Sequence, residues 1–164
     1  MKKGRTVIGL AVLEEKDGHR LGKVIDVLYS GEESKILGMM VETEGTSLPE
    51  MRFIHFSNIK ELTEEAVFVT GKDALQALHC LKNSEETSYS TALLCGRHIY
   101  SELGKEKGTI KDVLLDFTAG KVEGYQISTG FISDLVAGRY VIPVGNIITM
   151  GKDMIVVKDE LQEK

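Results

Sequence analysis

The feature that most constrains this chain of 164 residues is that it states one pattern twice. The stretch from Gly22 to Ser30, GKVIDVLYS, returns at Gly108 as GTIKDVLLD. Gly22 answers Gly108, Asp26 answers Asp112, and Gly38 of ILGMMV answers Gly124 of VEGYQI, each 86 positions later. Further on, Asn58 and Ile59 of HFSNI answer Asn146 and Ile147 of PVGNI, and AVFV from Ala66 answers MIVV from Met154, now 88 positions later. The two residues gained by the second copy fall between Gly124 and Asn146. Such a repeat predicts two units of roughly 80 residues, each near the lower size limit for an independent core, so packing of the halves would support both. The expected division is a first unit over 1–82, a linker over 83–92 and a second unit over 93–164.

Within each copy the periodicity is that of short strands. VIGLAVL, residues 7–13, is expected to be the first, ended by the turn dipeptide Asp17-Gly18. The next strand breaks its alternation, because Val24, Asp26 and Leu28 would share one face and set a carboxylate among apolar neighbours. The second copy does the same with Ile110, Asp112 and Leu114. Two breaks at one place predict a β-bulge that lets Val24 and Val27 both face the core. Asp26 and Asp112 then serve structurally, accepting backbone N–H groups exposed by the bend. KILGMMVE, RFIHF and AVFVT supply further strands, and TEGTSLPEM reads as a loop. Five or so short strands between turns are the pattern of a small β-barrel. Gly22, Gly38, Gly108 and Gly124 are expected to permit close backbone approach.

From Lys72 the period changes. Leu75, Leu78 and Leu81 lie three apart, with Asp73 in the first turn and Lys82 at the end, which predicts a short helix. NSEETSYS, residues 83–90, reads as linker. The inserted loop GFISDLVAGRY carries an expected helical turn over 132–137, and KDELQEK closes the chain as a charged tail.

Composition narrows the function classes. Hydrophobic content of 42% and charge of 27% are ordinary for a soluble protein, and no apolar run approaches the roughly 18 residues of a membrane span. The start MKKGR reads as a solvated basic tail before a first strand rather than as a leader, which predicts a cytoplasmic location. Net charge is -5, and neither half is basic: 11 basic against 13 acidic residues through Lys82 leave 9 against 12 after it. A dedicated nucleic-acid binder needs the opposite balance.

Candidate chemistry is sparse. His79, Cys80, Cys95 and His98 gather near the joint, but His79 and Cys80 would diverge by about 100° on the expected helix. Buried reduced thiols and a surface histidine are the reading preferred to a metal site. There is no GxSxG elbow, no GxGxxG and no P-loop. The carboxylate pairs, such as Glu14-Glu15 and Glu64-Glu65, sit in turns, and a chain with no Trp offers little for a sugar platform. No catalytic residue, metal or cofactor is expected.

The repeated pattern Gly22-x-Val24-x-Asp26-Val27, then Ile36-x-Gly38-x-x-Val41 and Phe53-Ile54-His55-Phe56-x-Asn58-Ile59, resembles the PRC-barrel family. The second copy adds Val141-Ile142-Pro143-Val144-x-Asn146-Ile147, whose proline His55 replaces in the first. The resemblance implies a mainly β protein: two tandem small SH3-like barrels, joined by a short helix and linker. Barrels of this kind occur in the cytoplasmic part of the photosynthetic reaction centre H subunit and in the C-terminal domain of the small-subunit ribosome maturation factor. It implies docking to another macromolecule and carries over no catalytic residue.

The expected function is therefore a non-enzymatic cytoplasmic adaptor for a protein partner. The alternatives are a ribosome-assembly module touching a ribosomal protein or rRNA, and an accessory of a membrane electron-transfer complex. A homodimer through edge strands is compatible with all three. Contacts are expected in the loops that differ between copies: Leu48, Met51, Arg52 and Phe53 in the first, and Phe131, Asp134, Leu135, Arg139 and Tyr140 in the second. Packing of these residues between the barrels is the competing reading.

Overall fold

The computed structural model describes residues 2–31, 33–45, 47–78, 88–129, 140–151 and 153–159. The chain is mainly β. The first half runs β1 (Lys2–Lys3), α1 (Gly4–Val7), β2 (Ala11–Glu14), β3 (Arg20–Ser30), β4 (Ile36–Thr43), β5 (Met51–His55), β6 (Ile59–Leu62), β7 (Ala66–Val69) and β8 (Gln76–Ala77). The second runs β9 (Ser88–Ser90), α2 (Thr91–Leu94), β10 (His98–Ser101), β11 (Glu106–Asp116), β12 (Lys121–Ser128), β13 (Tyr140–Pro143), β14 (Ile147–Met150) and β15 (Met154–Val157).

These strands form two sheets with one topology. The first is ordered β6-β7-β2-β3-β4-β5-β8, and the second β14-β15-β10-β11-β12-β13, matching it strand for strand up to β5. In each, one ladder is parallel, β2 with β7 and β10 with β15. Strands β5 and β6 occupy distant positions in the ladder, yet only the 3-10 turn Phe56–Asn58 separates them in sequence. Three residues span about 10 Å, so the sheet must curl until these strands approach each other. Val144–Asn146 imposes the same curl on the second sheet.

The broken alternation is a bulge in both copies. The register of β3 on β4 shifts between Val24 and Asp26, and that of β11 on β12 between Ile110 and Asp112. Val24 and Val27 are consequently both buried, as are Ile110 and Val113. Close approach is the other shared device. A Cβ on Gly38 would enter the carbonyl oxygen of Ile54, and one on Gly108 that of Ser128; both glycines also have positive φ, 158° and 135°. Gly124 faces the carbonyl of Ile142, and Gly22 that of Glu42, in the matching places. One continuous cluster of buried residues unites the sheets, from Val12, Val27 and Ile54 to Ile99, Leu115 and Ile155.

Three local expectations are corrected. Residues 72–77 do not form an α-helix: Lys72–Ala74 is a 3-10 turn, and β8 pairs with β5 through Arg52↔Ala77 and Phe53↔Gln76. A helix of about ten residues is marginal, whereas the edge of β5 offers unmet backbone groups and the 3-10 turn still buries Ala74. The first strand begins at Ala11 because Gly4–Val7 forms a helical turn. The basic start is not a solvated tail, since Lys2–Lys3 pairs with β11. The expected turn over 132–137, and His79, Cys80 and Leu81, lie outside the described residues.

Candidate docking surface

The segment ahead of each sheet crosses to the other half. β1 lies on β11 with Lys2 opposite Leu115 and Lys3 opposite Leu114, while β9 lies on β3 with Tyr89 opposite Tyr29 and Ser90 opposite Leu28. Leu114 and Leu28 are matching positions of the repeat, so the exchange is reciprocal. The overhang of each 11-residue strand beyond its short neighbour, β2 or β10, leaves the backbone groups that the arm satisfies.

The bulge carboxylates hold these arms. Asp112 Oδ1 accepts from the backbone N–H of Arg5 at 3.0 Å and of Val113 at 2.8 Å. Asp26 Oδ1 accepts from Val27 at 2.7 Å and Thr91 at 3.0 Å, and its Oδ2 from Ala92 at 3.0 Å. Each aspartate thus serves its own bend and the first helical turn of the opposite half. Both are buried, so their oxygens are engaged in structure. Beside them the hydroxyls of Tyr29 and Thr91 hydrogen-bond to each other in the space that Gly4 leaves open. Burial raises the Tyr29 phenol far above its ordinary range. At the opposite end the hairpin tips meet: Ile36 N–H donates to Gly120 O at 2.9 Å and Val122 N–H to Ser34 O at 2.8 Å, with Lys35 opposite Lys121. These pairs relate the halves by an internal pseudo-two-fold axis.

That axis generates two clefts of like position and unlike lining. In the first, about 600 Å³, Phe56, Lys60 and Glu61 of the first half meet Asp116, Phe117 and Thr118 of the second. The Phe56 and Phe117 ring centroids are 6.4 Å apart. The second, about 670 Å³, has no charged residue among the described residues that line it. Val144, Ile147, Ile148 and Met150 form one wall, the hairpin of Gly31 and Ser34 the other, and Tyr89 and Tyr125 contribute rings.

The two tyrosines are held differently. The Tyr89 ring packs over Gly31, where a Cβ would collide with it, and the Arg97 guanidinium sits 5.2 Å from its centroid. Arg97 is fixed in turn by donating to Gly151 O at 2.8 Å, and the Tyr89 hydroxyl donates to Met150 O at 3.4 Å. Tyr125 replaces the buried Met39 of the first copy and is only 4% exposed. Burial first, then neighbouring Tyr89, pushes its phenol up to about 12, so it remains a neutral hydroxyl at ordinary pH. Among the described residues nothing hydrogen-bonds that hydroxyl.

The residues singled out from sequence are scattered. Leu48 is 78% exposed, and Met51 and Arg52 are half-buried, with the Arg52 guanidinium paired to Glu50. Phe53 is a core residue instead: it is 4% exposed and its ring packs against the place where Gly38 lacks a Cβ. Phe131, Asp134, Leu135 and Arg139 lie outside the described residues, and Tyr140 opens β13 opposite Ile127. Cys95 Sγ donates to Lys111 O at 3.3 Å, and burial raises its thiol. His98 Nδ1 lies 2.9 Å from Glu106 Oε1 on the surface. Among the described residues no three His, Cys, Asp or Glu side chains converge on a metal position, and no helix is long and apolar enough to cross a membrane. Tyr89, Tyr125 and Ile148 were not singled out from sequence. A signal existed for Tyr89, an aromatic residue inside an otherwise polar stretch.

Residues 86–162 match the family model of the PRC-barrel domain. No curated protein matches the chain.

Proposed function

We propose that the PRC-barrel domain of residues 86–162 is the second of two tandem barrels, and that the pair is a non-enzymatic cytoplasmic module that docks a protein partner. The matched strand order, the paired bulges at Asp26 and Asp112 and the reciprocal arms support a first barrel in the residues ahead of the matched domain. The observation that carries the docking reading is the division of labour among polar groups. Asp26, Asp112, Tyr29 and Thr91 are buried and consumed in joining the halves. A surface feature in which the halves differ is a cleft whose described lining residues carry no charge, with half-exposed Ile148 among them. Leu48, Met51 and Arg52 belong to a separate edge of the first half.

The test is affinity capture from native lysate at low and then moderate salt, with wild type and Ile148→Asp in parallel. The expected result is one protein retained at both salts by wild type and lost by the variant. Ribosomal components that wash away with salt would favour the ribosome-assembly alternative. Recovery confined to a membrane complex would favour the electron-transfer accessory.

A further inference from the structure

We infer that Gly4, Tyr29, Thr91 and Leu115 form a pairing key: they let a first half clasp a second half and reject the clasping of like halves from two copies of the chain. The backbone of the clasp does not make that choice. The arm ladders, the tip bonds from Ile36 to Gly120 and from Val122 to Ser34, and the N–H groups held by Asp26 and Asp112 recur at matching positions of the repeat. Lys35 opposite Lys121 is likewise a pair of matching positions. Contacts of this kind would serve two first halves or two second halves as well as one of each. Selection has to come from side chains at the axis.

There the halves differ. Gly4 opens α1 where Thr91 opens α2, and Leu115 answers Tyr29 86 positions later. All four are buried. A Cβ on Gly4 would lie 2.6 Å from Thr91 Oγ1, 2.7 Å from the Tyr29 hydroxyl and 3.0 Å from Thr91 Cγ2, closer than packed atoms approach. Two second halves would set a threonine on each side of the axis, so each would bring the Cβ that this space refuses. Parting the arms to admit it would draw their N–H groups away from the bulge aspartates. Two first halves would bring two glycines instead. Each buried Tyr29 hydroxyl would then lose its Thr91 partner, and the space of the threonine side chain would stand unfilled. Only unlike halves set glycine against threonine and a phenol on the threonine hydroxyl. Specificity rests on attraction and on exclusion, and here the hydroxyl pair supplies the first and the bulk of Thr91 the second.

The experiment uses the full chain carrying Lys121→Cys, unfolded, refolded at near-millimolar concentration and oxidised, so that encounters between copies compete with closure of the linked halves. The chain without that substitution gives the background from native thiols. Position 121 meets its own copy only when two second halves clasp, so the disulfide-linked dimer counts like pairing. A chain with both Lys35→Cys and Lys121→Cys should link within itself, and failure to do so overturns the inference by removing the clasp it rests on. With the native key, Lys121→Cys should give no dimer above background. Adding Thr91→Ala removes both threonine atoms that the Cβ would meet and should raise the dimer at least about fivefold, as relief of overpacking implies. Adding Thr91→Val keeps the bulk and loses the hydroxyl, so the dimer should stay at background although the thermal midpoint falls. Equal dimer from the alanine and valine variants would mean that lost stability and not shape governs pairing, which overturns the inference. Dimer with the native key, or none from folded Thr91→Ala, overturns it too. A second pair of variants decides the matter if Thr91→Ala does not refold. Gly4→Thr reproduces the collision of like halves and should expose the amides of Lys2–Val7 to hydrogen exchange, and Gly4→Thr with Thr91→Gly should restore their protection. Absence of that restoration overturns the inference.

Discussion

The two clefts beside the pseudo-two-fold axis differ in where their aromatic residue comes from. In the first, the hairpin supplies Phe117, which packs near Phe56, while the arm supplies Lys2. In the second, the hairpin supplies Gly31 and the arm supplies Tyr89, whose ring occupies the space that Gly31 leaves. Gly120 plays the corresponding part in the first cleft, since a Cβ there would meet the Phe56 ring. The scaffold is held constant and the filling is traded between arm and hairpin. One cleft thereby carries a phenylalanine pair and charged residues, and the described lining of the other carries two phenol groups and no charge. A duplicated fold can in this way keep its architecture while its copies diverge at the surface.

The comparison makes predictions that descend in size. Gly38→Val and Gly108→Val, at two different positions of the repeat, should both be severe. Each drives a branched side chain into a backbone carbonyl at positive φ, and a loss of about 4 kcal/mol or more should leave little folded protein by circular dichroism. Tolerance at either site would contradict the close backbone approach described there. Next, Asp26→Ala orphans three N–H groups and Asp112→Ala two, so chemical denaturation should show losses of about 3 and about 2 kcal/mol, in that order. The clefts themselves separate at a smaller scale. Phe56→Ala should cost about 2 kcal/mol through the lost Phe117 contact, and Val144→Ala at the matching position about 1 kcal/mol. Smallest of all, Tyr125→Phe should shift stability by less than about 0.5 kcal/mol; a larger fall would mean that its hydroxyl serves the fold.

These features were unequally legible in the sequence. The bulges could be read because Asp26 and Asp112 interrupt alternation at the same place in both copies, and a period-2 pattern is sensitive to one inserted residue. The crossing glycines were legible for the same reason, recurring where strands otherwise favour side chains. The exchanged arms were not. Nothing in MKKGR or in SYS encodes that Lys3 pairs with Leu114 and Ser90 with Leu28, because two-residue and three-residue strands leave no periodicity and their partners lie in the other half. The misread helix at residues 72–78 shows a related limit, since three leucines at helical spacing cannot report that the edge of β5 is vacant. Phe53 was drawn to the surface by its neighbours in a loop, although its strand position places it in the core. Tyr125 was hidden because a buried strand residue in the sequence reads as core, and only the fold reveals that its hydroxyl ends in a cleft.

The central claim is that the halves are two copies of one fold, each clasping the other through its bulge aspartate. Hydrogen exchange read by mass spectrometry on Asp26→Ala and Asp112→Ala tests it most directly. The account predicts crossed losses of protection: Asp26→Ala should expose the amides of Ser88–Leu94 in the second half, and Asp112→Ala those of Lys2–Val7 in the first. Losses confined to the mutated strand of each variant, with both arms still protected, would contradict it.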